Sequence, residues 1–156
     1  MKIGLVGDTH GSAEALKKIE QVFTGVNLLF HTGDHWQDGV YLEKKMGLPV
    51  LAVKGNCDYG SQPSELQLKL KDKQFFLTHG HTYGVKFTIK TLLARAKELG
   101  VDYCLFGHTH RPFLKKEAGI YFLNPGSWAF PRGKEKYIGI GLLYRENEFQ
   151  PFFVQG

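Results

Sequence analysis

The sequence predicts an α/β fold, an αββα sandwich in which two mixed β-sheets pack together with helices outside. Three observations carry this. Apolar runs alternate with polar, glycine-marked loops in the first half of the chain, two stretches space their apolar residues helically, and the last third reads as short strands joined by tight turns. At 156 residues the chain has the size of one domain, 1–156, able to bury a core without disulfide or metal staples.

Taken in order, residues 2–7 form a buried strand ending at Gly7-Asp8. Residues 12–24 place Ala15, Leu16, Ile19, Val22 and Phe23 on one helical face behind Ser12, a good N-cap. Residues 26–31 and 49–53 read as buried strands leading into Thr32-Gly33-Asp34 and Gly55-Asn56-Cys57-Asp58, with His35 and Trp36 placed in a loop. Residues 65–70 alternate with period two and pair through Lys71-Asp72-Lys73 with a second hairpin strand, 74–78. Phe87, Leu92, Leu93, Ala96 and Leu99 predict a helix over 87–99 that Gly100 stops. Strand 103–107 delivers Gly107-His108-Thr109-His110. Strands at 112–117, 120–124, 137–145 and 148–154 follow, with turns at Ala118-Gly119 and Glu146-Asn147.

A composition of 42% hydrophobic and 22% charged residues excludes a disordered or fibrous chain. No apolar run approaches the roughly 20 residues that span a bilayer, and the N-terminus has no leader pattern, so the expected location is the cytoplasm. Cys57 and Cys104 lie in unlike contexts, one polar and one apolar, which argues against a disulfide. The formal charge of +5 is spread over isolated lysines, arginines and pairs such as Lys17-Lys18. Such a field supports an anionic ligand without choosing its class; nucleic acid stays open as a partner but is not favoured.

Chemistry concentrates in the loops. Asp8 and His10 follow the first strand, Asp34 the second, Asn56 the third, His79 the hairpin, and His108 with His110 the strand after the long helix. Loops at the carboxyl ends of an open α/β sheet share one edge, so residues a hundred positions apart can converge there. Carboxylates and imidazoles with one amide and no thiolate suit Mn²⁺, Fe, Co²⁺, Ni²⁺ or Zn²⁺ rather than Ca²⁺ or a structural zinc cage. Seven donors exceed one open site, whereas two ions about 3.5–4 Å apart, sharing one carboxylate, would use them all and suit displacement at phosphorus. Asp8-Thr9-His10 alone would fit a capped turn, and Gly33-Asp34 is common in turns; the ordered set carries the metal reading. His108 and His110 are expected on one face of an extended segment. His31 reads as a satisfied core histidine, His35 and Trp36 as lining or cover of a pocket, and His81 as a contact outside the ligand set.

These motifs, Asp8-x-His10, Gly33-Asp34, Gly55-Asn56-x-Asp58, His79-Gly80-His81 and Gly107-His108-x-His110, resemble those of the calcineurin-like metallophosphoesterases over nearly the whole chain. The compact size and Asn124-Pro125-Gly126-Ser127 are similar to the small prokaryotic phosphodiesterase branch, which itself resembles the scaffold subunit of retromer. The resemblance implies two divalent ions, Mn²⁺ foremost: one on Asp8, His10 and His110, the other on Asn56, His79 and His108, with Asp34 bridging. It implies hydrolysis of small phosphodiesters by a hydroxide held between the ions, with Asp34 and Asn56 in the catalytic set. Cys57, His81 and Arg132 are the substrate-contact candidates, Arg132 also a subunit contact if the chain forms a homo-oligomer.

One departure stands out. Larger relatives carry histidine after the motif asparagine, oriented by an aspartate; here Cys57 takes that place, and Asp38, in the corresponding loop, is left without that partner. Two other readings follow from the same fold, a scaffold that has lost catalysis and a nuclease. Substituted ligands mark the first, and all seven positions here hold competent residues; the second lacks an added domain or an obvious basic groove.

Overall fold

The computed structural model describes residues 1–134 and 137–156. Strand β1 (Lys2–Val6), helix α1 (Ala13–Val22), β2 (Leu28–His31), α2 (Trp36–Met46) and β3 (Val50–Ala52) open the chain. A hairpin of β4 (Glu65–Leu70) and β5 (Lys73–Thr78) follows, then a single 3₁₀ turn at His81–Tyr83, α3 (Lys90–Leu99) and β6 (Tyr103–Leu105). Strands β7 (Pro112–Glu117), β8 (Ile120–Pro125), β9 (Tyr137–Arg145) and β10 (Glu148–Gln155) complete it.

Two mixed five-stranded sheets result, ordered β10-β9-β1-β2-β3 and β4-β5-β6-β8-β7. β1, β2 and β3 are parallel because α1 and α2 supply the crossovers, and α3 does the same between parallel β5 and β6. The hairpins β7-β8 and β9-β10 turn on Ala118-Gly119 (φ 51° and 78°) and Glu146-Asn147 (φ 50° and 61°), the left-handed pairs that match strand twist.

Period-two alternation divides each strand between two layers. Ile3, Leu5, Phe30, Phe75, Leu105, Ile140 and Phe149 meet between the sheets. Leu16, Ile19, Phe23 and Leu42 cover the outer face of the first sheet, and Val85, Leu92 and Ala96 that of the second. Within the central layer Tyr103 stacks on Phe75 at 4.7 Å between ring centroids, and its hydroxyl serves a backbone group in each direction. It donates to the Phe149 carbonyl at 2.9 Å and accepts from the Phe149 N–H at 3.0 Å, joining β6 to β10 across the sandwich. That burial pushes the phenol up to about 12.

The αββα expectation is met, with two corrections. The segment after Asp34, read as a loop, becomes helix α2 from Trp36 onward. The helix read over 87–99 begins only at Lys90, which leaves Phe87 outside it and 94% exposed.

Candidate metal centre

The carboxyl ends of β1, β2, β3, β5 and β6 meet on one edge, and the loops there share an uncommon backbone. Asp8 (φ 49°), His10 (47°), Asp34 (55°), His108 (69°) and His110 (57°) are all left-handed, a region that costs a non-glycine residue about 1–3 kcal/mol. Each kink turns the chain at a strand end and is held by hydrogen bonds between loops. Asp8 N–H donates to the Gly33 carbonyl at 2.9 Å and His10 N–H to the Asp34 carbonyl at 3.3 Å. His108 N–H donates to Asp8 Oδ2 at 3.0 Å, and Cys57 N–H to Asp34 Oδ1 at 3.0 Å. The left-handed His108 and His110 correct the expectation of an extended segment: the two rings reach the edge from separate kinks, not from one strand face.

Backbones must pass close for this. A Cβ on Gly55 would collide with the Asp34 carboxylate, and one on Gly107 would lie 2.7 Å from Asp8 Oδ2. Glycine at these two positions is therefore required by the carboxylates they face.

The donor atoms form two groups. Asp8, His10, Asp34 and His110 offer atoms all within 4.8 Å of one another, as do Asp34, His79 and His108, so Asp34 belongs to both. His110 Nε2 lies 3.3 Å from Asp8 Oδ1 and 3.3 Å from His10 Nε2. His79 Nε2 lies 3.4 Å from Asp34 Oδ1 and 3.0 Å from Asn56 Oδ1, which brings Asn56 to the second group. Outer hydrogen bonds select the tautomers: His79 Nδ1–H donates to the Thr32 carbonyl at 2.8 Å and His110 Nδ1–H to the Phe130 carbonyl at 2.9 Å. In neutral rings both Nε2 lone pairs then face the cluster, as metal ligation requires.

Electrostatics fit a cation. Asp8 Oδ1 is buried and has no hydrogen-bond partner, an arrangement that a carboxylate oxygen tolerates beside a positive charge. Burial opposes the charged form of Asp34, yet the His79 hydrogen bond outweighs it and holds the carboxyl well below the usual range. Burial likewise opposes the His79 cation, but its hydrogen bond to Asp34 prevails and raises that pKa. The Asp8 carboxylate beside its Nε2 raises His110, whereas burial and then the neighbouring His79 lower His108 to about 4. A proton on His79 neutralises the carboxylates in the place where a divalent ion would, so loading such an ion releases it.

The surrounding shell is only partly legible in the sequence. His31 is the core histidine expected: Nδ1 accepts from the Gly33 N–H at 3.2 Å, so Nε2–H donates to Thr9 Oγ1 at 2.9 Å, and Thr9 donates on to Asp38 Oδ2 at 2.5 Å. Asp38 is not left without a histidine, because Oδ1 lies 2.8 Å from His35 Nδ1 within its own turn. Asp58 ties two loops by accepting from the His35 and Trp36 N–H groups with one oxygen and from the Gly55 N–H with the other. The Gly55-Asn56-x-Asp58 spacing was the signal for that brace; nothing in sequence marked the Thr9–Asp38 contact.

The three substrate-contact candidates sit differently. Cys57 is exposed, and burial followed by the Asp34 charge raises its thiol pKa, so it presents a neutral S–H. His81, on the 3₁₀ turn, has its ring 5.4 Å from His79 and 6.1 Å from His108, with a buried Nδ1 lacking a partner. Arg132 is exposed, and its backbone N–H donates to the His110 carbonyl at 2.9 Å.

Residues 1–148 match the family model of the calcineurin-like phosphoesterase superfamily domain. The chain belongs to this superfamily. Among curated members, the probable metallophosphoesterase YsnB of Bacillus subtilis (strain 168) is 35% identical, over 95% of this chain and 86% of YsnB. The phosphodiesterase YfcE of Escherichia coli (strain K12) is 30% identical, over 85% of this chain and 82% of YfcE. A predicted phosphoesterase from Streptococcus pneumoniae TIGR4 superposes with a TM-score of 0.83 at 29% identity, over 99% of this chain and 88% of its own. Vps29 from Entamoeba histolytica, determined with Zn²⁺, shares the fold at a TM-score of 0.73 and 20% identity, over 99% of this chain and 98% of that one. The superfamily's phosphoesterase chemistry and the two donor groups thus agree.

Proposed function

We propose that this calcineurin-like domain, 1–156, is a dinuclear phosphodiesterase acting on small phosphodiesters. The observation that carries the reading is Asp34, whose carboxylate belongs to both donor groups, while Asp8 in the first group holds a buried oxygen without a hydrogen-bond partner. Asp8, His10 and His110 would hold one divalent ion and Asn56, His79 and His108 the other, with Asp34 shared; oxygen and nitrogen donors without thiolate make Mn²⁺ the first choice. A bound ion pair lowers the pKa of water toward neutrality and offsets charge on the phosphoryl oxygens.

The residues of this chain do the rest. Thr32 and Phe130 carbonyls fix the imidazole tautomers, and the Cys57 N–H holds the Asp34 carboxylate in place. Cys57, His81 and Arg132 would contact substrate, and a neutral thiol at 57 favours a diester monoanion over a monoester dianion. The preference for diesters is supported by YfcE, which is named a phosphodiesterase. No helix among the described residues is long and apolar enough to cross a membrane, and we place the enzyme in the cytoplasm.

The test is metal analysis paired with assays on bis(4-nitrophenyl) phosphate and 4-nitrophenyl phosphate. Mn²⁺ should stimulate the diester reaction and exhaustive chelation should abolish it. Full activity at confirmed zero metal would overturn the mechanism, and a metal-loaded protein inert on both esters would favour the scaffold reading.

A further inference from the structure

Behind the loop that carries His108 and His110 lies a groove of about 550 Å³, bounded by residues 85–89 ahead of α3 and by the outer face of β7. This volume is that of a small-molecule site. Its continuity with the metal edge is direct. Thr109, between the two histidines, lines the groove, and so does Arg132, whose N–H is bonded to the His110 carbonyl.

Two features call for a ligand. Phe87 stands 94% exposed in the groove wall instead of packing in α3, and Phe113 lies in the same groove, partly buried. Around them are Lys86, Arg111 and Arg132, all exposed and, among the described residues, with no carboxylate within 4.0 Å. The fourth cation, Lys115, is neutralised by Glu117 at 2.8 Å, the one acidic residue among the described residues of the groove. An aromatic face flanked by unpaired cations suits a ligand that has a flat ring and an anionic group a few ångströms apart. Planar arginine forks at positions 111 and 132 match phosphate geometry.

We propose that this groove binds one nucleotide unit, the base stacked on Phe87 and the phosphate held by Arg111 and Arg132. Resting on the phosphodiesterase reading, it makes nucleotide phosphodiesters the substrate class, with one nucleotide in the groove and the scissile group toward the metal edge.

Calorimetric titration of the full chain in chelator separates groove binding from metal binding, with AMP, adenosine and inorganic phosphate as probes. AMP should bind about tenfold more tightly than either adenosine or phosphate, since each supplies only one of the two recognised features. Phe87→Ala should weaken AMP about fivefold or more, the worth of one stacked base, and Arg111→Ala about tenfold. Both side chains are exposed, and matching melting temperatures would show that the variants fold. AMP binding that is absent, or indifferent to both substitutions, overturns the proposal. Equal binding of adenosine would mean an apolar site, equal binding of phosphate an anion site only, and far tighter binding of a single-stranded oligonucleotide a nucleic-acid groove; each rejects it. If AMP binds through Phe87 while no ester is hydrolysed, the groove stands and the phosphodiesterase reading fails. If aryl diesters are hydrolysed and AMP does not bind, the reverse holds.

Discussion

Asp34 concentrates more of the site's physics than any other residue, since one carboxylate faces both donor groups and accepts the Cys57 N–H. Asp34→Asn keeps the shape and removes the charge that would offset repulsion between two cations. The variant should lose bound metal and fall in diesterase rate by more than the roughly 10–100-fold typical of an outer-shell change, read by metal analysis and kinetics on the same sample. His10→Gln, whose residue serves one donor group only, should retain more metal than Asp34→Asn. Cys57 is the second test at this scale. Its exposure removes the competing view of a packed core thiol, so an imidazole should fit there without strain. Cys57→His should raise monoesterase relative to diesterase turnover by giving the extra anionic oxygen a charge-assisted hydrogen bond, with metal content and melting temperature unchanged. An unaltered substrate ratio in a well-folded, fully loaded variant would remove the proposed role.

Elements whose buried face is apolar were legible in the sequence, and the others were not. The strands and α1, with Ser12 accepting from the Ala15 N–H at 3.2 Å, follow from period two and period 3.6. Helix α2 escaped because it buries Asp38 and Gly39 beside Leu42 while Val40 and Tyr41 face solvent, so no apolar stripe announces it. Phe87 lies outside α3 although its spacing from Leu92 fits a helix, because the chain first turns at Gly84 (φ 62°), with the Phe87 N–H bonded to the Gly84 carbonyl. The ligands could be read because each stands at a fixed place behind a strand. Their braces, such as Thr9 with Asp38, join side chains 29 positions apart and carry no local signal. Between elements, the bond that matters most is that of Tyr103, which serves both the N–H and the carbonyl of Phe149. Tyr103→Phe leaves two buried backbone groups of β10 without this partner. Stability should drop by about 1–3 kcal/mol in urea titrations, with diesterase kinetics of the folded fraction unchanged.

Acid should act on the molecule as a whole, through His31. This ring is fully buried where β2 ends, and burial lowers its pKa from 6.5 to about 4, more than Asp38, Asp8 and Asp58 raise it. The unfolded chain therefore binds more protons than the folded one between pH 6.5 and about 4, so stability falls as pH drops through that window. By pH 4 this single histidine should remove about 3 kcal/mol, a large share of a typical domain's 5–15. His108, lowered to about 4, adds a smaller loss of the same sign, because it is less buried. His79 and His110, both raised, act in the opposite sense: the stability they contribute is complete below pH 6.5 and is lost at higher pH, so it leaves the acid window unchanged. Denaturant titrations of the chelated protein at pH 7 and pH 4, repeated on His31→Gln, isolate the effect. The amide can still donate to Thr9 and accept from the Gly33 N–H but has no proton to gain, so the variant should lose about 3 kcal/mol less than the parent between the two pH values. An equal loss in both proteins would show that folded His31 takes up its proton as readily as the unfolded chain does, and that acid sensitivity lies in the metal-edge carboxylates instead.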